Sequence, residues 1–316
     1  MSESKSTQFK QSLGLLDATM LVSGAMIGSG IFIVSADMAR NVGSAGWLLL
    51  IWLLTGVVTV AAALSYGELA GMMPKAGGQY IYIQRAFGPL TSFVYGWTVF
   101  MVIQTGTIAA VAVAFTKYSA VFFPILNPEN VLVALGSVKV SVGSLYAIVS
   151  IILLTYINTR GVQSGKLIQN VFTIAKLIAL FGLIVIGIGY GFKSGMLSQN
   201  FEDAWPASKT TSEGGVTALG GIALLMALGV SMIGSLFSSD AWNNVTFIAG
   251  EIKNPKKNIP RSLFFGTLIV TIIYLLANIA YLSILPLKGT ADGADVLAKG
   301  IQFADYDRVA TAAMSV

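Results

Sequence analysis

The sequence contains no cysteine and no histidine among its 316 residues. Without cysteine the chain has no disulfide framework, no thiolate metal site and no thiol nucleophile. Without histidine it has no imidazole to bind a metal or to act as a general base. No carboxylate pair forms a catalytic constellation in their place. The sequence therefore predicts no enzyme activity, no metal site and no bound cofactor.

Charged residues are also scarce. Only 10% of the residues are charged, 55% are hydrophobic and the mean hydropathy is +0.78, whereas a soluble domain carries roughly a quarter charged residues. The apolar runs are long and continuous, which predicts an all-α integral membrane protein in the lipid bilayer. Most lysines and arginines lie in short loops between these runs, where they set topology. The net charge of +5 therefore does not predict a nucleic-acid partner.

The apolar runs predict seven membrane spans and the beginning of an eighth. Residues 1–12 form a polar tail, 13–190 contain spans 1 to 5, 191–215 form a loop, and 216–316 contain spans 6 and 7 with the start of span 8 near Tyr306. Short basic loops alternate with longer loops of mixed charge. Because basic loops stay in the cytoplasm, the tail is predicted to be cytoplasmic and the loop 191–215 extracellular. The protein is predicted to be a multi-pass protein of the inner or plasma membrane.

The centre of span 1, residues 23–32, contains three glycines and two serines. Glycine destabilises a helix by about 1 kcal/mol relative to alanine, so a break is predicted near Gly28 and Gly30. Backbone groups freed at membrane depth must face protein or a wet cavity. The N–H groups that open the second half-helix then carry a partial positive charge, which suits a carboxylate.

Two other interpretations of this stretch exist. Gly24 and Gly28 have the small-xxx-small spacing that is typical of close helix packing. The glycine spacing also resembles a phosphate loop, but no strand precedes it and its flanks suit lipid, so this second interpretation carries little weight.

Span 6 is a second candidate for a broken helix. Residues 229–244 include serines, two asparagines and Asp240 where an apolar core is expected. Interrupted spans at corresponding places in two halves indicate the substrate site of an inverted-repeat transporter. Asp240 is then a functional group that pairs with a cation or shapes a polar pocket, or, together with Ser238 and Ser239, a cap for a helix that begins near Ala241. Both roles can hold together.

Four motifs in order resemble one known family. They are residues 28–32; residues 65–69 with 74–82, 87–90 and 96–97; residues 158–162 with 172–177; and residues 241–243 with 250–260. Together, over about residues 13–287, they resemble the amino acid–polyamine–organocation (APC) superfamily of transporters, in the L-type amino-acid transporter branch.

The resemblance implies a bundle of about twelve helices, in which helices 1–5 and 6–10 are inverted repeats and helices 1 and 6 are broken. The chain holds about seven and a half of these spans, so we expect a C-terminally truncated or partial sequence. Animal light chains of this branch are linked to a partner glycoprotein through an external cysteine. The chain lacks cysteine, so no disulfide-linked heavy chain is expected.

By resemblance, the substrate carboxylate meets the span 1 break and the substrate amino group meets backbone carbonyls at the span 6 break. The predicted substrate-binding residues are Ile27, Gly28, Ser29, Gly30, Ile31, Phe237, Ser238, Ser239 and Asp240. Phe237 is either a gate over the pocket or an ordinary packing aromatic.

Lys176 lies inside span 5 and shares a helical face with Gln169 and Thr173. A lysine that faces lipid at mid-span costs at least about 2.5 kcal/mol, so this face is predicted to point into the bundle; snorkelling to an interface is the alternative. In sodium-coupled relatives this region helps to hold a sodium ion. By resemblance, Lys176 places a fixed ammonium there, which either braces the span 1 break or carries a proton, so transport without sodium is predicted.

The sequence thus predicts a secondary transporter of small or neutral L-amino acids that works by sodium-independent exchange or proton-linked alternating access. One alternative is a carrier of cationic amino acids or polyamines, which Asp240 would favour. The other is a membrane sensor that binds an amino acid without transporting it.

Overall fold

The computed structural model describes residues 11–127, 130–135, 138–159, 162–210 and 216–287. Helices dominate these residues. The α-helices are α1 (Leu15–Met26), α2 (Gly30–Val42), α3 (Ala45–Met72), α4 (Gln79–Phe87), α5 (Pro89–Thr98), α6 (Thr105–Ala120), α7 (Val142–Thr159), α8 (Val162–Ser194), α9 (Met196–Glu202), α10 (Gly221–Ser238) and α11 (Pro255–Ile284).

Shorter elements connect these helices. A π-helical turn, Val99–Gln104, joins α5 to α6. Two 3-10 helices, Pro124–Leu126 and Trp242–Glu251, follow α6 and α10. Two pairs of short strands complete the described part: β1 (Val131–Leu135) with β2 (Val138–Ser141), and β3 (Ser208–Thr210) with β4 (Val216–Ala218).

Seven stretches of the described residues can cross a membrane. Six are single long apolar stretches, and the bent pair α1–α2 is the seventh. In chain order they are α1–α2, α3, α5–α6, α7, α8, α10 with the 3-10 helix after it, and α11, which match predicted spans 1 to 7. The predicted all-α membrane fold with broken spans 1 and 6 is confirmed. The predicted start of span 8 near Tyr306 lies outside the described residues.

Spans 1, 2, 6 and 7 pack into one compact unit, formed by residues 11–96, 198–209 and 216–279. Glycines allow its helices to approach closely. A β-carbon on Gly266 of α11 would lie 2.6 Å from the β-carbon of Val22 in α1, and one on Gly56 of α3 would lie 3.0 Å from the hydroxyl oxygen of Thr271 in α11. Small residues at such contacts are typical of membrane helices, which associate by close van der Waals packing.

The core of this unit contains an aromatic pair. Trp52 of α3 and Tyr274 of α11 are each only 2% exposed, and their rings meet edge to face with centroids 5.2 Å apart. Beside them, the hydroxyls of Thr55 and Ser235 lie 2.6 Å apart and join α3 to α10. Spans 2, 6 and 7 are therefore joined by both ring packing and hydrogen bonding.

The beginning of the described chain pairs with the connection between spans 6 and 7. The backbone N–H groups of Ser12 and Leu13 donate to the Glu251 carbonyl at 3.0 and 3.1 Å, and the Lys253 N–H donates to the Leu13 carbonyl at 2.8 Å. Leu13 and Ile252 form a parallel β-bridge. These bonds hold the start of α1 against the segment that leads into α11.

The second unit, described by itself, comprises residues 97–197, Thr210 and 280–287. Helices α6 and α7 pack at Gly143, where a β-carbon would lie 2.8 Å from the Thr116 side chain. The Ser194 hydroxyl at the end of α8 donates to the Ser283 carbonyl at 3.0 Å.

Candidate functional site

The break in span 1 lies where the glycine-rich stretch predicts it. Helix α1 ends at Met26, α2 begins at Gly30, and the two helices are bent by 48°. Gly28 and Ser29 are exposed, whereas the side chains of Ile27 and Ile31 are buried. The exposed part of the break is therefore formed by Gly28 and Ser29 and not by the two isoleucines.

The three glycines of this stretch differ in their surroundings. Among the described residues, a β-carbon on Gly24 would meet nothing within 4 Å, and one on Gly28 would meet only the Met26 carbonyl, at 3.9 Å. The interpretation of Gly24 and Gly28 as a close packing pair is therefore wrong for this part of the chain. Gly30 is the glycine that allows a close contact, because a β-carbon there would lie 2.8 Å from the β-carbon of Ser238.

The break in span 6 follows Ser238, the last residue of α10. Ala241 adopts a left-handed backbone conformation with φ 68°, and the 3-10 helix begins at Trp242. Within the part of the chain that the structure describes, no side chain caps this helix with a hydrogen bond, and the Ser238 hydroxyl instead donates to the Gly234 carbonyl within α10 at 2.9 Å. The interpretation of Ser238, Ser239 and Asp240 as a side-chain N-cap is therefore wrong.

The predicted site residues of span 6 fall into two groups. Ser238 and Ser239 are buried, whereas Phe237 is 59% exposed and Asp240 is exposed. Phe237 therefore does not have the surroundings of an ordinary packing aromatic within the described residues. Asp240 lies close enough to the Tyr95 phenol to interact with it electrostatically.

Tyr95 belongs to a cluster of polar and aromatic side chains. The Tyr95 hydroxyl donates to Gln79 Oε1, Gln79 Nε2 donates to the Tyr66 hydroxyl at 2.7 Å, and the Tyr66 ring meets Trp242 edge to face at 5.0 Å. Sequence reasoning placed Tyr66, Gln79 and Trp242 in family motifs but assigned them no role. Their side chains come from α3, α4 and the 3-10 helix, so only the folded structure shows that they meet.

The two breaks lie against each other. The contact between Gly30 and Ser238 joins the N-terminus of α2 to the C-terminus of α10. The first N–H groups of a helix and its last carbonyls lack intrahelical partners and carry opposite partial charges. Donor groups suited to an anion and acceptor groups suited to a cation therefore lie side by side.

Tyr274 joins the same two breaks from span 7. Its hydroxyl lies 3.1 Å from the carbonyl oxygen of Met26 and 3.1 Å from that of Ser238, the last residues of α1 and α10. Sequence reasoning missed this residue, because one tyrosine in a long apolar helix is an ordinary occurrence.

Lys176 is partly buried in α8, which belongs to the second unit. The side chains of Gln169 and Thr173 lie outside the described ones. The shared face of these three residues and the orientation of Lys176 toward the bundle interior stay predictions.

The contact at Gly30 yields a test of the packing. A Gly30→Ala change should destabilise the protein by about 1–3 kcal/mol, because the new methyl group overlaps Ser238 in a packed interface. Adding Ser238→Gly should restore part of this loss, since it removes the side chain that the methyl group meets. Thermal unfolding in detergent measures both effects.

Gly229→Ala is the matched control, since a β-carbon at this α10 position meets nothing within 4 Å among the described residues. The control should be neutral or slightly stabilising, as expected for glycine replaced by alanine within a helix. A Gly30→Ala variant as stable as the control would show that the two helix ends do not touch at Gly30.

A profile of the amino acid permease family matches residues 13–316. The b(0,+)-type amino acid transporter 1 of Mus musculus is 32% identical over 285 residues, which cover 90% of this chain and 53% of the relative. The large neutral amino acids transporter small subunit 2 is 33% identical over 276 residues in both Mus musculus and Homo sapiens, covering 87% of this chain and 48% or 47% of those relatives.

The chain therefore spans about half the length of the curated relatives that it matches. The family match nevertheless includes both broken spans and nearly all of the described residues. On this match and these identities, the chain belongs to the amino acid permease family.

Proposed function

We propose that the protein is a sodium-independent secondary transporter of small or neutral L-amino acids, which works by exchange or proton-linked alternating access. The observation that carries this proposal is the contact between the two helix breaks, where the N-terminus of α2 meets the C-terminus of α10. An amino acid is a zwitterion, and it needs donors for its carboxylate next to acceptors for its ammonium. The names of the relatives, which include amino acid transporters of two types, support amino acid transport in general.

The exposed backbone of the span 1 break would bind the carboxylate. Gly28 and Ser29 are open, and the N–H groups at the start of α2 carry the positive end of the helix dipole. Ile27 and Ile31 are also proposed as binding residues, and both lie buried at the edges of this exposed backbone, 1% and 0% exposed. Gly30 would serve the site indirectly, by allowing α2 to approach Ser238.

The end of α10 would bind the amino group. Backbone carbonyls around Phe237, Ser238 and Asp240 lie at the negative end of the helix dipole, where a cation is favoured. The exposed ring of Phe237 is free of close packing within the described residues, which suits a gate that covers a bound substrate.

Asp240 favours a second candidate function, the transport of cationic amino acids or polyamines. It is an exposed carboxylate beside the span 6 break, and the rings of Tyr66 and Trp242 lie in the adjoining cluster. A carboxylate with neighbouring aromatic rings is a suitable environment for a substrate cation. The relatives named b(0,+)-type and large neutral amino acid transporters do not decide between the two classes for this chain.

The rest of the proposal concerns the protein as a whole. We propose that Lys176 supplies a fixed ammonium in place of a coupling sodium ion, that the tail before span 1 is cytoplasmic, and that the membrane is the inner or plasma membrane. We also propose that residues 13–190 form a first repeat and residues 216–316 part of a second. With no cysteine in the chain, the proposal includes no disulfide-linked partner.

Counterflow of radiolabelled amino acids in proteoliposomes made with the full-length protein tests the function. Alanine, serine and leucine should exchange, at the same rate with sodium or with choline outside. A Lys176→Ala variant should lose most of this flux while keeping its expression. Flux that requires sodium, or full flux in Lys176→Ala, would contradict the role of Lys176. Ligand binding without flux would instead indicate the sensor.

Gly28 provides a test of the carboxylate site. Gly28→Ala should weaken amino-acid binding by about tenfold, because a methyl group in the open break obstructs approach to the backbone, and stability should hold because no described atom lies closer than 3.9 Å to it. Gly24→Ala, the same change one turn earlier in an open position, should leave affinity unchanged. Equal affinity in all three proteins, measured by scintillation proximity, would rule out the span 1 break as the carboxylate site.

Asp240 provides a test of charge selection. If the protein carries cationic substrates, Asp240→Asn should weaken arginine or putrescine by about tenfold and alanine by much less, because one attractive charge is lost. Glu68→Gln removes the same charge from another exposed position of this unit and should preserve the substrate ranking. Competition against labelled alanine measures the ranking of substrates. An unchanged ranking in Asp240→Asn would exclude charge selection by Asp240 and leave neutral amino acids as the proposed substrates.

A further inference from the structure

Four basic side chains are concentrated where the chain enters span 7. All are exposed, and they lie just before α11 and in its first turns; this basic cluster consists of Lys253, Lys256, Lys257 and Arg261. Among the described residues none of the four forms an ion pair. The acids of adjoining elements, Glu68 in α3 and Glu251 in the 3-10 helix, therefore do not neutralise this charge by direct contact.

The backbone that carries the basic cluster is held in place. The Lys253 N–H donates to the Leu13 carbonyl at 2.8 Å, and the Lys253 carbonyl accepts from the Asn258 side chain at 2.6 Å. Pro260 packs against α3, where a β-carbon on Gly67 would lie 3.1 Å from the α-carbon of Pro260. The four side chains therefore project from a fixed surface.

Helix α11 places the basic cluster at the membrane surface. Residues 262–284 contain no charged side chain, and this run exceeds the ~20 residues that cross the hydrocarbon core of a bilayer. Arg261 therefore lies at the edge of the core. Lys256 and Lys257 lie about 6–8 Å further out, at 1.5 Å per residue. Lipid headgroups occupy the layer directly outside the core, so the cluster lies among their phosphate groups.

An exposed apolar stripe continues from the basic cluster along one face of α11. Residues three or four positions apart share a helical face, and the large apolar residues that follow Arg261 at this spacing are between 36% and 49% exposed: Phe265, Ile269, Ile272 and Leu276. The opposite face is buried, at Ile259, Leu263 and Val270. Cations at the surface followed by an apolar stripe toward the membrane centre match the headgroup and acyl chain of an anionic lipid.

The charge at the start of α11 opposes the helix dipole. The N-terminus of a helix carries partial positive charge, which favours acidic side chains and disfavours basic ones. The first turn of α11 has no acidic residue and contains Lys256 and Lys257 instead. These lysines therefore destabilise the start of the helix unless an anion lies beside them.

We propose that the basic cluster and the apolar stripe of α11 bind an anionic phospholipid, with its phosphate at Lys257 and Arg261 and an acyl chain along Phe265 and Ile272. Both basic residue types bind phosphate, and arginine does so through paired N–H groups. The site depends neither on the proposed transport of amino acids nor on the leaflet that it faces.

Lipid binding to the full-length protein in detergent tests the site. The probes are phosphatidylglycerol and phosphatidylcholine with the same acyl chains, measured by native mass spectrometry. Phosphatidylglycerol should bind about thirtyfold more weakly to the double variant Lys257→Gln, Arg261→Gln than to wild type, because each cation near an anionic headgroup contributes about a factor of five. Phosphatidylcholine should bind weakly to both proteins. Equal affinity for phosphatidylglycerol in variant and wild type would overturn the proposal.

The double variant Lys139→Gln, Lys209→Gln is the matched control. Both lysines are exposed in short strands, β2 and β3, and the change removes the same two charges. The control should alter the affinity for phosphatidylglycerol less than about twofold. A loss as large as that in the cluster variant would show that net charge alone attracts the lipid, and the assignment to α11 would be wrong.

Thermal unfolding separates lipid binding from folding. Without added lipid, the Lys257→Gln, Arg261→Gln variant should unfold at the wild-type temperature or above it, because Lys257 opposes the helix dipole. Phosphatidylglycerol should raise the unfolding temperature of wild type more than that of the variant, since only a ligand that binds the folded state stabilises it. A variant that is less stable than wild type without lipid would assign the two cations a structural role instead.

A further comparison identifies the source of the phosphate group. Phe265→Ala should weaken phosphatidylglycerol binding by about threefold, because an acyl chain loses van der Waals contacts. Phe100→Ala, at a phenylalanine of span 3 that is 69% exposed, should have no such effect. Soluble glycerol phosphate in excess should not displace the lipid. Displacement together with unchanged affinity in Phe265→Ala would indicate a site for soluble phosphate compounds and overturn the assignment to a lipid.

Discussion

Hydrogen bonding of the backbone at membrane depth is the constraint on which the described structure depends. A continuous helix satisfies its own peptide groups, and lipid offers none of the partners that water would supply. Spans 1 and 6 both lack these internal hydrogen bonds where their helices break. The break after Met26 and the break after Ser238 lie beside each other, and the single O–H of Tyr274 lies 3.1 Å from a carbonyl oxygen of each. One buried residue therefore offers a hydrogen-bonding group at both interruptions, which helps to make the two breaks tolerable.

Close approach of the helices follows from this constraint. The breaks can share partners only if α2, α10 and α11 come near enough, and this requires small residues at the contacts. The absence of a side chain at Gly30 allows Ser238 to approach closely, and Gly266 allows the same for Val22. Thr55 and Ser235 add a polar contact between α3 and α10. Because helices in lipid gain little from the hydrophobic effect, van der Waals packing and such hydrogen bonds are the main forces available to hold the unit together.

Much of this architecture is predictable from sequence, and the reason is physical. Long apolar runs identify spans, and glycine with serine at the centre of span 1 identifies a break, because both signals are local. The partner of each residue is not local. Gly24, Gly28 and Gly30 look equivalent in the sequence, but only Gly30 faces another helix closely among the described residues. Tyr274 lies far from both breaks along the chain, so no spacing rule connects it to Met26 or Ser238.

The predicted cap at span 6 is wrong for a different reason. Here a valid local rule is overridden by tertiary structure. Ser238, Ser239 and Asp240 are the residue types that cap helices. In the structure the Ser238 hydroxyl donates to the Gly234 carbonyl within α10, and the Ser238 side chain lies against Gly30. Ala241, which precedes the 3-10 helix, adopts a left-handed conformation. Packing between the two breaks, which the sequence does not show, decides the use of these side chains.

The pairing of Ser12 and Leu13 with Glu251 and Lys253 has a different kind of consequence, because it uses main-chain atoms alone. Any residue type provides the carbonyls, and any except proline provides the N–H groups. The side chains at these positions are therefore free to drift during evolution while the junction persists. Divergence at these four positions is consequently no guide to whether two permeases share the link between the start of span 1 and the segment that enters span 7.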